Sequence, residues 1–114
     1  MPIAQPARML EIHIAEDHQH SGKPLYEVLV GKCRELGVAG VTVFRGFEGY
    51  GETATMHRKH LLTNDQPVIV MIIDCEENIA RVLPTLEELA DRAMITVSQV
   101  TMKRVQNTRA DDVP

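Results

Sequence analysis

The sequence of 114 residues contains no tryptophan, two tyrosines, two phenylalanines and two cysteines. Two thiols are too few for a disulfide scaffold, and Cys33 and Cys75 have no metal-ligand spacing. Cys33 falls in a predicted helix and Cys75 at a predicted strand end, where a free thiol behaves as a small hydrophobe. Long apolar runs are also missing. The longest, Pro67 to Ile73, is far too short to cross a bilayer. The first residues, Met1-Pro2-Ile3-Ala4-Gln5-Pro6, show no basic stretch followed by an apolar one. No signal peptide is therefore read, and a cytoplasmic location is expected. Positive charge is scarce, with 12 Lys and Arg against 16 Asp and Glu and a net charge of −4. That balance argues against nucleic acid as the main partner. The adjacent basic pairs, Arg58-Lys59 and Lys103-Arg104, read as solvated surface. Ser21 and Ser98 lack a glycine elbow, and no other catalytic constellation stands out, so a non-enzyme is expected.

What is present is ordinary for a globular protein: 44% apolar and 25% charged residues. The length suits one domain over residues 1–114, with a core from about residue 8 to residue 105 and loose ends. Met9 to Ala15 is a predicted strand, since Leu10, Ile12 and Ile14 alternate with Glu11 and His13. Glu16 to Gly22 is a polar connection. A helix is expected from about Lys23 to Leu36, with Pro24 in the first turn and Gly37 as its terminal cap. Leu25, Val28, Leu29, Cys33 and Leu36 form its apolar stripe. Gly31, unfavourable inside a helix, predicts close packing at that point. A second strand runs from Gly40 to Phe44, and a long connection from Gly46 to Gln66. Pro67 to Asp74 is apolar on both sides, as in a sheet interior. Glu76 to Ala93 reads as a second helix, kinked or split at Pro84. Ile95 to Val105 is a last strand whose apolar phase changes between Val97 and Val100, predicting a bulge.

The resulting order, βαββαβ, is the ferredoxin-like split motif of the α+β class. Two helices cover one face of a four-stranded antiparallel sheet, and a long loop joins strands 2 and 3. The apolar third strand implies that the second face is covered too, with another subunit as the expected cover.

The main functional signal is Arg45-Gly46-Phe47-Glu48-Gly49-Tyr50-Gly51. Three glycines within six residues let backbone N–H groups turn outward and form an anion-binding concavity. Arg45 adds a donor fork suited to phosphate or carboxylate. Glu48 offers an acceptor and Tyr50 a stacking surface. Lys23, at the expected helix start after Gly22, is a second anion candidate. Arg58, beside His57, adds a further cation. The histidines open an alternative. His18 and His20 flank Gln19, and His57 and His60 would share one face if their segment were helical. A metal site needs three or four ligands, and neither pair has a third at a convincing spacing.

Three stretches taken together resemble a known family: Gly22-Lys23-Pro24-Leu25-Tyr26-Glu27, Gly37-Val38-Ala39-Gly40-Val41-Thr42-Val43 and Arg45 to Gly51. They resemble the PII-like family called domain of unknown function 190, over roughly Arg8 to Val105. That family is related in fold to nitrogen-regulatory PII and CutA proteins. The resemblance implies a homotrimer with ligand sites in the clefts between subunits, and an effector loop at about residues 47–66. It implies a signalling role: a small anionic effector, an adenine nucleotide with magnesium as a candidate counter-ion, and a protein target such as a transporter or an enzyme. The expected ligand-binding residues are Lys23, Arg45, Gly46, Glu48, Gly49, Tyr50, Gly51 and Arg58. The alternative is a CutA-like metal-binding protein in metal tolerance, using His57 and His60. The PII tyrosine-modification pattern is missing from the loop, so uridylylation and 2-oxoglutarate sensing are not expected.

Overall fold

The computed structural model describes residues 4–46, 48–50, 56–58 and 66–105. Four strands form one antiparallel sheet: β1 (Ala4–Ala15), β2 (Gly40–Arg45), β3 (Pro67–Cys75) and β4 (Met94–Lys103). Their spatial order is β2-β3-β1-β4, with α1 (Leu25–Glu35) after β1 and α2 (Glu76–Leu89) after β3. This is the expected ferredoxin-like arrangement, with the two most apolar strands in the middle.

Strand alternation builds the core. Opposed residues in an antiparallel pair share a face. Leu10 faces Ile72 and Ile12 faces Val70, and all four are fully buried. The helices close over them with Leu25, Leu29 and Cys33 from α1, spaced four apart, and Ile79, Val82 and Leu86 from α2. Burial pushes the Cys33 thiol up to about 11, so it stays protonated and inert near neutral pH. On the other sheet face β3 is apolar as well, beside the polar Glu11, His13 and Thr96. Ile69, Met71 and Ile73 are only half-buried there, and Phe44, opposite Ile69, is 48% exposed.

Helix α1 ends where its sequence says it should. Gly37 takes φ +79°, the Val38 N–H donates to the Cys33 carbonyl at 3.0 Å, and the Gly37 N–H to that of Arg34 at 3.2 Å. These two bonds are the Schellman pattern. Gly31 corrects an expectation: it is exposed, and a Cβ there would meet nothing within 4 Å. The two glycines therefore predict opposite results. Gly31→Ala should stabilise by about 0.5–1 kcal/mol through helix propensity. Gly37→Ala should destabilise by about 1 kcal/mol, because it forces a side chain into the left-handed region. Urea midpoints of the two variants check this, and a shift of the same sign in both would refute the account.

Three further expectations are corrected. Of the two outcomes expected at Pro84, a kink or a split, the split does not occur: α2 runs unbroken from Glu76 to Leu89. Both Pro84 and Ala80, whose carbonyl loses its helical donor, lie on the exposed side, where water can take the donor's place. The helix also stops short of Ala93: its cap is Ala90, and the Ala93 N–H turns back onto the Ala90 carbonyl at 3.0 Å. The last strand has no bulge. Its pairing with β1 is unbroken from Ala4↔Lys103 to His13↔Met94. The apolar phase changes because the covered face changes. Beyond the Ala7↔Cys75 pair β3 has ended, and β1 and β4 continue as a two-stranded arm.

Candidate functional site

The ends of β1 and β2 and the start of β3 meet at one end of the sheet, and the insertion between β2 and β3 leaves from there. Arg45 lies opposite Val68, so β2 and β3 are direct neighbours up to the last residue of β2. The Gly46 N–H donates to the Pro67 carbonyl at 2.6 Å. A Cβ on residue 46 would lie 2.6 Å from Pro67 Cγ, so only glycine fits. This gives Gly46 a second role that its place in a glycine cluster does not announce. Its N–H closes the stem of the insertion and does not point outward.

Within the insertion, Glu48–Tyr50 pairs with Met56–Arg58 in a short antiparallel ribbon. Glu48 stands opposite Arg58, Gly49 opposite His57 and Tyr50 opposite Met56. Two candidate ligand residues, Glu48 and Arg58, are thus brought into register. The extended backbone at His57 is not the helical one that would align it with residue 60. Gly51 and His60 lie outside the described residues. Among the described residues no three His, Cys, Asp or Glu side chains are grouped to hold a metal ion.

Arg45 is not free. Its guanidinium pairs with the carboxylate of Glu16, just beyond β1, although the two are 29 positions apart. The same Glu16 donates its backbone N–H to the Gln66 carbonyl at 2.7 Å. Glu16 therefore touches both stems of the insertion, Arg45 on one side and Gln66 on the other. Lys23 is exposed and pairs with His20 across a second short ribbon, Gln19–His20 with Lys23–Pro24. That ribbon opens from the end of β1, at the same end of the sheet. Ser21 and Gly22 turn it with φ +52° and +83°, the signature of a two-residue turn with positive φ at both positions. Pro24 caps α1, so Lys23 lies one position before the cap rather than starting the helix.

The opposite end of the sheet carries a polar network that sequence reasoning did not find. Asp74, at the end of β3, is buried and accepts from the Ala39 N–H at 2.9 Å, the Cys75 N–H at 2.7 Å and the Asn78 amide. Arg81 donates to Asn78 and to the Leu36 carbonyl. The network ties the start of α2 to the turn between α1 and β2. Burial pushes the Asp74 carboxyl up, but these hydrogen bonds outweigh it and hold the group below the usual carboxylate range. Cys75 and Asn78 are local partners, but Ala39 lies 35 positions away, beyond any local motif.

A sheet of this order with both helices on one face is a ferredoxin-like subunit, here with a long insertion between neighbouring strands at one end of the sheet, and this is the fold of the solved PII-like proteins. Among solved structures, the chain is similar to CPII, a nitrogen regulatory PII-like protein from Thiomonas intermedia K12, bound to ADP, AMP and bicarbonate. The TM-score is 0.68 at 21% identity, covering 90% of this chain and 92% of CPII. The model of the DUF190 family, described as an uncharacterized ACR, matches residues 7–102. The UPF0166 protein of Aquifex aeolicus is 40% identical over 82 residues, 70% of this chain and 78% of that protein. The UPF0166 protein of Methanocaldococcus jannaschii is 34% identical over 84 residues, 73% of this chain and 78% of the other. The chain belongs to the DUF190 family.

Proposed function

We propose that the chain is a regulatory protein that binds an adenine nucleotide and passes its presence to a protein target through residues 47–66. The observation that carries this reading is the insertion itself. A two-residue turn would join β2 and β3, which are hydrogen-bonded neighbours as far as Arg45↔Val68. An insertion of this length in a compact domain is characteristically functional. The nucleotides in CPII support an adenine ligand; magnesium is the counter-ion proposed for it here. Lys23, Arg45, Gly46, Glu48, Gly49, Tyr50, Gly51 and Arg58 are the residues assigned to it. The half-exposed apolar patch of Phe44, Ile69 and Met71 supports self-association, and the proposed assembly is a homotrimer with the ligand in the clefts between copies. The protein performs no chemistry on the ligand and acts in the cytoplasm. The mechanism is population shift: the nucleotide favours one arrangement of the insertion, and a transporter or enzyme distinguishes it from the other.

Calorimetric titration with AMP, ADP, ATP and cyclic adenine nucleotides tests this, first in chelator and then with magnesium. Saturable binding near one site per chain is expected. Arg45→Ala should weaken it roughly tenfold or more, as loss of a charged hydrogen bond does, without unfolding the protein. Absence of heat with every nucleotide would overturn the reading, and unchanged affinity in the variant would remove Arg45 from the site.

A further inference from the structure

Resting on that reading, we infer that Glu16 is a built-in counter-anion: it occupies Arg45 in the unliganded protein, and an incoming oxyanion displaces it, loosening the stem of the insertion. Three observations carry this. The Arg45 side chain is 65% exposed, whereas that of Glu16 is only 10% exposed. The carboxylate is withdrawn from water and relies on the guanidinium, while the guanidinium keeps an open side toward solvent. An anion can approach Arg45 from that side but meets a site already neutralised.

The second observation is that Glu16 holds both stems. Its carboxylate takes Arg45 at the end of β2, and its N–H takes the Gln66 carbonyl just before β3. One residue thus connects the charge state of Arg45 to the backbone that closes the insertion. The third is the adjoining bond from the Gly46 N–H to the Pro67 carbonyl, next to Arg45 in the chain. When phosphate or carboxylate oxygens take the guanidinium, Glu16 is left as a largely buried carboxylate beside a second anion. Both the lost partner and the like charge favour its movement outward. Gln66 and Gly46 are the backbone positions that feel this movement. Glu16 is therefore a positioning residue: it acts on the ligand and on the insertion through Arg45.

The test uses the full chain with Glu16→Gln, which keeps the shape and removes the charge. Two quantities are read: ADP affinity by calorimetry, and amide hydrogen exchange at Gly46 by nuclear magnetic resonance. The inference expects ADP to bind about fivefold more tightly to the variant, as removal of a competing ion pair implies. It also expects faster Gly46 exchange in the ligand-free variant than in the ligand-free wild type. Unchanged or weaker ADP binding in the variant overturns it, because Glu16 would then merely orient Arg45. If ADP binds neither protein, the nucleotide reading fails separately, and inorganic pyrophosphate becomes the probe. Pyrophosphate should then speed Gly46 exchange in the wild type to the level of the variant. Exchange that stays at the wild-type rate overturns the inference on its own.

Discussion

Asp74→Ala is expected to destabilise the protein by about 3 kcal/mol, because it leaves three part-buried donors without their shared acceptor. The Ala39 N–H, the Cys75 N–H and the Asn78 amide all point at this carboxylate. The network links the end of β3, the start of α2 and the turn after α1, so its loss loosens three elements together. The charge matters as well as the shape. Asp74 titrates below its ordinary value of 3.8 in the folded protein. Its charged form is thus stabilised by folding. That contribution is complete above the unfolded-state value and is lost as pH falls through the lower folded-state value. Asp74→Asn, which keeps the shape, should be less stable than wild type near neutral pH. The gap should close as pH falls below the ordinary carboxylate range, where the wild type loses its charge. Urea unfolding of both proteins across that range measures it. A gap that does not vary with pH would show that the charge contributes nothing.

Gly46→Ala has the next largest expected effect, about 2 kcal/mol of destabilisation, typical of overpacking against a rigid neighbour. The new Cβ would stand 2.6 Å from Pro67 Cγ and 3.3 Å from the Pro67 carbonyl oxygen. A proline ring cannot swing aside as a lysine end can, so the stem itself must open. The hydrogen bond from Gly46 to Pro67 opens with it. The double variant Gly46→Ala with Pro67→Ala removes Cγ and leaves 3.3 Å as the closest approach. It should therefore recover most of the loss, a coupling that a double-mutant cycle of unfolding free energies isolates. Additive losses would mean that the clash is not the cause.

Much of the scaffold is legible in the sequence because its elements are locally periodic. Leu10, Ile12 and Ile14 alternate, and Leu25, Leu29 and Cys33 repeat every four residues; all six turn out buried. Gly37 is recognisable as a cap from its place after the apolar stripe, and the βαββαβ order follows from those periods. The misreadings share a cause. Val97 and Val100 look like a bulge only if one face of β4 is covered throughout. Which face is covered depends on where β3 stops, at Cys75, and no property of β4 itself carries that fact. Gly31 has the same difficulty, since its surroundings are set by tertiary packing.

The candidate site was legible in part. Arg45 and the glycines stand out by composition, and the resemblance gave the insertion its significance. Glu16 did not stand out. A lone glutamate at a strand end has no local signature, and its partners Arg45 and Gln66 are joined to it only by the fold. Asp74 was hidden similarly, as one polar residue closing an apolar strand.

The closed stem below the insertion has an evolutionary consequence. Pairing of β2 with β3 is complete at Arg45↔Val68, and the Gly46 to Pro67 bond seals it. The scaffold's register is thus decided before the chain enters the insertion. Loop-closure entropy rises only logarithmically, by about 0.6 kcal/mol for each doubling of length. Descendants of this gene can lengthen, shorten or replace the segment at little thermodynamic penalty, and so acquire new clients while inheriting the same frame. An engineer can do likewise, by grafting a foreign recognition segment between residues 46 and 67.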